Sequence, residues 1–232
     1  MRIVSCEHAA NKVPAEYKHL FKNNQAILKT HQAYDAGALE LARVLAGKLN
    51  APFFQYSNTR LLIDANRSLG HPRLFSGFTK LLDKEQKNLL IESYYKAYRR
   101  PVEIIINTAV KKKQQVLHVS VHSFTPVLAG KQRNADIGLL YAPARQAEAG
   151  FSNILKKKIQ AIDQGFQVRC NYPYQGKSNS LVTFFRNYLP PADYLGIELE
   201  INQKILNNPK QWRSLRAILG KVFLETAGLY DI

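Results

Sequence analysis

The chain of 232 residues is 46% hydrophobic and 22% charged, which suits a folded protein and excludes a disordered or collagen-like one. Its 33 Lys and Arg against 17 Asp and Glu give a formal charge of +16, so nucleic acid, anionic surfaces and anionic substrates all stand as partners at the outset. Two cysteines, Cys6 and Cys170, are too few for a disulfide framework and form no CxxC pair, which points to a reducing cytoplasm.

Charged residues appear within the first eight positions, before any apolar leader forms, and no uncharged apolar run approaches membrane-span length. Export and membrane insertion are therefore not expected. Ile3 and Val4 open a short strand that runs into Ser5, Cys6, Glu7 and His8, with Asn11 and Pro14 marking a loop. A helix is expected over 31–49, where Ala38, Leu41, Ala42, Leu45 and Leu49 recur at helical spacing; Asp35 falls near its start. Segments 52–56 and 61–63 are apolar enough for strands, joined by a turn at 57–59. Asp83, with Gln86 three residues on, caps a helix carrying Leu89, Leu90 and Tyr94, which Pro101 should break or kink.

Residues 116–121 read as a strand that ends in His122, Ser123, Phe124, Thr125 and Pro126. Strands at 137–141 and 167–169 flank a helix over 145–162, and in 194–201 Ile197, Leu199 and Ile201 alternate with Glu198 and Glu200. Asn208 before Pro209 opens a closing helix that ends near Gly228. Alternating strands and helices predict a single α/β domain over 1–232, with a mainly parallel or mixed central sheet and helices on both faces. In such sheets binding residues collect beyond the carboxyl ends of strands, where His8, His122 and Glu200 fall.

Two neutral imidazoles and a carboxylate can hold a divalent metal that activates water and polarises a carbonyl, and His8 and His122 are candidates for the imidazoles. On spacing alone, loop histidines making ordinary hydrogen bonds are the favoured reading. Arg60, Asn66 and Arg67 surround the apolar stretch 61–63 and can clamp a carboxylate and donate to an oxyanion, although surface arginines around a turn would read the same way. The lysine runs 111–113 and 156–158 fit solvated helix faces better than a nucleic-acid surface, since no RNA- or DNA-binding motif accompanies them.

Five blocks in order make a resemblance specific: 5–11 (SCEHAAN), 31–38 (HQAYDAGA), 60–67 (RLLIDANR), 122–126 (HSFTP) and 196–202 (GIELEIN). Together they resemble the N-formylglutamate amidohydrolase family, itself similar to zinc carboxypeptidases and aspartoacylase-like deacylases, whose Asp-x-Asn-Arg signature Asp64 to Arg67 resembles. The resemblance implies a zinc carboxypeptidase-like fold, and zinc or another divalent ion held by His8 and His122. Arg60 becomes the carbonyl or oxyanion contact, Asn66 and Arg67 the carboxylate site, and Glu200 the general base. Glu198 shares the face of Glu200 by strand periodicity, so that choice stays open.

The third ligand departs from the related peptidases, whose His-x-x-Glu would place a glutamate where Asn11 stands. Asp35 is favoured because it recurs in the family's pattern and a carboxylate suits zinc better than an amide. Glu7 and Asn11 remain open, though an extended segment turns Glu7 away from His8. Ala10 also stands where the family usually has Gly.

Arg133 is a further substrate-binding candidate, together with Ser123, Thr125 and Asp136. Asn171 to Gly176 resembles the family's later Asn-x-Pro-Tyr-x-Gly loop, where turn architecture is an equal explanation. Cys6, inside a metal-hydrolase block, is read as structural. The implied activity is hydrolysis of N-formylglutamate to formate and glutamate, in the cytoplasm and with neither membrane nor nucleic acid as partner. A metallopeptidase or deacylase acting on another carboxylate-bearing amide is the alternative. A non-catalytic nucleic-acid-binding derivative is a third reading, against which the two histidines, Asn66, Arg67 and Glu200 argue.

Overall fold

Period-two and period-3.6 patterns alternate along the chain, and the computed structural model, which describes residues 1–230, builds them into one sheet with helices on both faces. In chain order the elements are β1 (Arg2–Cys6), α1 (Ala38–Leu49), β2 (Phe53–Gln55), α2 (Lys84–Leu90), a π-helical segment (Ile91–Lys96), α3 (Ala97–Lys111) and β3 (Val116–Phe124). There follow the small hairpin β4 (Val127–Leu128) and β5 (Lys131–Gln132), then β6 (Ile137–Leu140), α4 (Gln146–Ile162), β7 (Val168–Cys170), α5 (Leu181–Arg186), β8 (Tyr194–Asn202) and α6 (Pro209–Gly228).

The main sheet has the order β2-β1-β3-β8-β6-β7. β1, β2, β3 and β8 run parallel, β6 is antiparallel to β8, and β7 is parallel to β6. The mainly parallel α/β fold expected from the sequence is therefore present. β2 lies on one side of β1, and the chain then returns to lay β3 on the other. The crevice at the carboxyl ends of β1 and β3 is thus a topological switch point, the usual place for a ligand in such a sheet.

Alternation decides what each sheet face carries. Leu117, Val119 and Val121 of β3, with Leu195, Ile197 and Leu199 of β8, pack against Leu41 and Leu45 of α1, Leu155 of α4 and Leu219 of α6. Each such side chain taken from water contributes about 2 kcal/mol. The opposite face has its own core, where Ile3, Val116 and Tyr194 meet Leu90, Val102, Ile106, Leu181 and Phe185. Between these residues the same face carries buried polar groups, Ser5, His118, Ser120, His122, Glu198 and Glu200. Burial is tolerated where hydrogen bonds replace water: the His118 ring lies 2.7 Å from both Ser5 Oγ and Tyr194 Oη.

Burial lowers the His118 pKa to about 4 despite the nearby charge of Glu7, whereas an unfolded histidine titrates near about 6.5. Between those values the unfolded chain binds a proton that the folded chain excludes, so this contribution is complete above about pH 6.5 and is lost as pH falls towards 4. Unfolding stability measured by urea titration should lose on the order of 3 kcal/mol to this group across that window. His118→Gln should remove that part of the slope; an unchanged slope would contradict the assignment.

Three expectations are corrected. The helix expected over 31–49 begins only at Ala38, because Gly37 adopts φ +78° and the residues before it form turns. Segment 61–63 is not a strand: Leu62 N–H donates to the Thr59 carbonyl, and its apolar side chains anchor a loop in the second core. Pro101 does not break its helix but lies inside α3, in the second turn after the π-helical segment Ile91–Lys96.

β3 also runs on past residue 121 to Phe124, placing His122 within the strand. The Asp83–Gln86 capping box is complete, with reciprocal bonds of 2.8 and 3.2 Å. Among the described residues no helix is long and apolar enough to cross a membrane.

Candidate active site

His8 follows β1, and its backbone carbonyl accepts from Asp35 N–H at 2.9 Å, which hangs the turn before α1 over the strand end. That tie, invisible in the sequence, brings Asp35 to both imidazoles. Asp35 Oδ2 lies 3.3 Å from His8 Nδ1 and 2.9 Å from His122 Nδ1. Ligand atoms of His8, Asp35 and His122 fall within 4.8 Å of one another, and all three residues are buried.

Each imidazole has a second carboxylate behind it. His8 Nε2 meets Asp64 Oδ1 at 2.8 Å, and His122 Nε2 meets Glu7 Oε2 at 3.2 Å. A carboxylate on Nε2 holds the proton there and leaves Nδ1 to face inwards, the outer-shell arrangement that orients histidine ligands. Two imidazole nitrogens and one carboxylate oxygen form a donor set that fits zinc or a similar divalent ion. Burial lowers the His122 pKa, but Asp35 and Glu7 outweigh it and raise it well above the histidine range, so a cation at Nδ1 displaces a proton.

The open alternatives for a third donor take other places. Glu7 is enclosed behind His122, with its Oε1 accepting from Tyr98 Oη at 2.9 Å. Burial pushes its pKa up, yet His122, His118 and Ser120 outweigh that and keep it well below the usual range. Asn11 donates instead to the Leu28 carbonyl at 2.7 Å. Asp64, quoted only as part of a signature, proves to be the partner of His8. Burial raises its pKa, but His8, Arg60 and Arg67 bring it down to about 2. Position 64 is 56 residues from His8, so no local periodicity links them.

A cavity of about 750 Å³ opens over this cluster, and Arg60, Asn66, Arg67, Glu198 and Glu200 line it. Arg60 donates to Asp35 Oδ1. Asn66 Oδ1 accepts from Leu181 N–H at 2.8 Å, while its Nδ2 lies 3.4 Å from the His122 ring. Arg67 donates to the Asn179 carbonyl and lies 3.7 Å from Asp64.

The two glutamates of β8 differ in their surroundings. Glu198 accepts from Ser180 Oγ at 3.1 Å and lies 3.7 Å from Arg186, which also holds Glu148 at 3.1 Å. Glu200 Oε2 is buried without a hydrogen-bond partner. Burial pushes the Glu200 pKa up to about 8, with Asp35 and Glu198 adding to the rise and His122 and Arg60 opposing it. Gly138 faces Glu200 across β6 and β8, where a Cβ would lie 3.1 Å from Glu200 Cβ and 2.0 Å from the Tyr172 carbonyl oxygen. Only glycine leaves room for that approach.

Other sequence candidates divide. Ser123 and Thr125 line the cavity, but Arg133 does not. Its guanidinium stacks on Phe124 and Tyr174, at 5.7 and 5.2 Å from the ring centres, and so supports two residues that do. Asp136 pairs with Lys204 at 2.8 Å. In the loop after β7, Asn171 Oδ1 accepts from Tyr141 and Gly176 N–H groups, which presents Tyr174 and Gln175 to the cavity. Burial drives the Cys6 thiol well up in pKa, away from nucleophilic use. Neither lysine run lines the cavity.

A strand-end cavity that gathers imidazoles, carboxylates and arginines over this sheet belongs to a hydrolase of amide bonds. More particularly, the chain belongs to the N-formylglutamate amidohydrolase family, whose model matches residues 2–206. The structure of a gene product from Agrobacterium tumefaciens is similar with a TM-score of 0.83 at 24% identity, covering 100% of this chain and 92% of that one. N-formylglutamate amidohydrolase from Ralstonia eutropha JMP134 is similar with a TM-score of 0.70 at 15% identity, covering 98% of this chain and 93% of that one. At these identities the likeness establishes the fold. No curated protein matches the sequence.

Proposed function

We propose that the chain, acting as a single amidohydrolase domain over 1–232, is a metal-dependent enzyme that hydrolyses N-formylglutamate or a close acidic N-acyl amino acid. The observation that carries this reading is the meeting of the His8–Asp35–His122 group with the unpartnered Glu200 carboxyl in a cavity that also holds Asn66 and Arg67. His8, Asp35 and His122 are the residues that would hold zinc or another divalent ion. When bound there, such an ion supplies Lewis acidity for the substrate carbonyl and acidifies water.

The remaining roles belong to the chain's own side chains. Glu200 takes a proton from the attacking water and returns it to the leaving nitrogen as the carbon–nitrogen bond breaks, giving formate and the free amine of glutamate. Arg60 donates to the carbonyl oxygen as its charge develops. Asn66 and Arg67 hold the substrate carboxylate, a geometry that a planar guanidinium recognises well. Arg133 acts at one remove, by holding Tyr174 against the cavity. A cytoplasmic setting suits the unpaired Cys6 and Cys170.

A second reading keeps this chemistry but enlarges the acyl group, because the cavity of about 750 Å³ also has an apolar wall of Phe124, Leu128 and Leu140. Hydrolysis of N-formylglutamate, N-acetylglutamate and an acidic dipeptide, followed by amine release, separates the two. The first reading expects the formyl substrate to have the highest kcat/KM. A preference for the dipeptide would overturn it.

A further inference from the structure

Arg67 is followed by two more residues with donor side chains, His71 and Arg73, that the proposed reaction does not use. Segment 64–74 closes on itself, with Asp64 N–H bonded to the Leu74 carbonyl at 2.9 Å and Leu74 N–H to the His71 carbonyl at 2.9 Å. Outside contacts hold the loop in place. Ser68 N–H donates to Asn179 Oδ1 at 2.9 Å, Tyr95 Oη donates to the Arg67 carbonyl at 2.7 Å, and Leu74 is buried. The loop is therefore a fixed platform, and it presents Arg67, His71 and Arg73 to the cavity.

The charges on this platform are unevenly met. Arg60 is paired with Asp35, and Arg67 is engaged by Asn179 and lies near Asp64. Among the described residues the Arg73 guanidinium makes no hydrogen bond or ion pair, and of the carboxyls that line the cavity with Glu200, Asp35 is paired with Arg60 and Glu198 is held by Arg186 and Ser180. Arg73 N–H donates to His71 Nδ1 at 3.1 Å. That bond fixes the neutral tautomer with its proton on Nε2, so the imidazole is a donor without being charged. Burial and the charges of Arg67 and Arg73 lower the His71 pKa, which favours that neutral form.

We infer that His71 and Arg73 form a second carboxylate subsite, so that the cavity selects N-acyl amino acids bearing two carboxylates. Asn66 and Arg67 take one carboxylate, and the guanidinium of Arg73 with the Nε2–H of His71 takes the other. This rests on the amidohydrolase reading for its consequence in catalysis, but the subsite is open to a direct binding test.

Calorimetry with glutarate and with 4-carbamoylbutyrate, which replaces one carboxylate by an amide of the same shape, isolates the second charge. Wild-type protein should bind glutarate about tenfold more tightly, a difference typical of one charge-assisted contact. Arg73→Ala, at an exposed position where folding is not at stake, should abolish that preference, and Arg73→Lys should retain part of it. The kcat/KM ratio of N-formylglutamate over N-formylglutamine should fall by the same factor in Arg73→Ala. Equal binding of the two ligands by wild type, or a preference that survives Arg73→Ala, would overturn the subsite. A glutarate preference without hydrolysis of either formyl substrate would overturn the catalytic reading while upholding the subsite.

Discussion

Glu200→Gln should lower kcat for N-formylglutamate on the order of a thousandfold, with KM changed far less. The substitution keeps size and shape while removing the ability to accept a proton, and general-base contributions of this kind are typically about 10²- to 10⁴-fold. The site gives Glu200 nothing else to do: it is 6% exposed, its Oε2 has no hydrogen-bond partner, and Gly138 keeps the opposing strand clear of it. Glu198, two residues earlier on the same face, is already committed to Ser180 and Arg186. Steady-state kinetics of Glu200→Gln alongside Glu198→Gln tests the distinction. If Glu198→Gln shows the larger loss in kcat, the proton-transfer role has been given to the wrong glutamate.

The largest effect on stability is expected from Arg186→Met. Arg186 lies at the end of α5 with its side chain 5% exposed, bonded to Glu148 at 3.1 Å and to the Gly196 carbonyl at 2.7 Å, and 3.7 Å from Glu198. Removing the cation leaves the Glu148 carboxylate buried opposite an alkyl chain. Loss of one member of a buried ion pair typically costs about 3–5 kcal/mol. Arg145, although buried beside them, donates to the carbonyls of Tyr194, Arg186 and Leu189 and does not replace the lost partner. A urea-unfolding comparison should show this loss for Arg186→Met and a partial recovery in Arg186→Met/Glu148→Leu, where the Glu148 carboxylate is no longer stranded and only Glu198 still lacks its cation. A single-variant loss below about 1 kcal/mol would show that water or another group satisfies Glu148.

Much of the fold was legible because alternation is local. Ile197, Leu199 and Ile201 announced one face of β8, and the helical spacing from Ala38 to Leu49 announced α1. Segment 61–63 misled because a short apolar run has the same composition whether it pairs in a sheet or anchors a loop. The start of α1 was misplaced because the positive φ of Gly37 ends the preceding turns, a backbone fact that composition does not carry.

At the site, His8, His122 and Glu200 were findable from their positions at strand ends. Asp35 came from the family pattern, and its approach to both rings depends on a backbone hydrogen bond to His8 that the sequence does not show. Glu7 and Asp64 were visible as carboxylates, but their places behind the two imidazoles follow from tertiary packing. The same packing turns Arg133 onto Phe124 and Tyr174. The +16 charge is likewise resolved in part: Arg60, Arg67 and Arg73 line the cavity, while the lysine runs lie elsewhere.

Metal dependence is the central claim, and formate release from N-formylglutamate by purified protein, before chelation, after it and after return of zinc, tests it most directly. The account predicts activity that is lost on chelation, restored by the metal, and absent with or without added zinc when His8 or His122 is replaced by Ala. Undiminished formate release from chelated protein, or from either histidine variant, would contradict it.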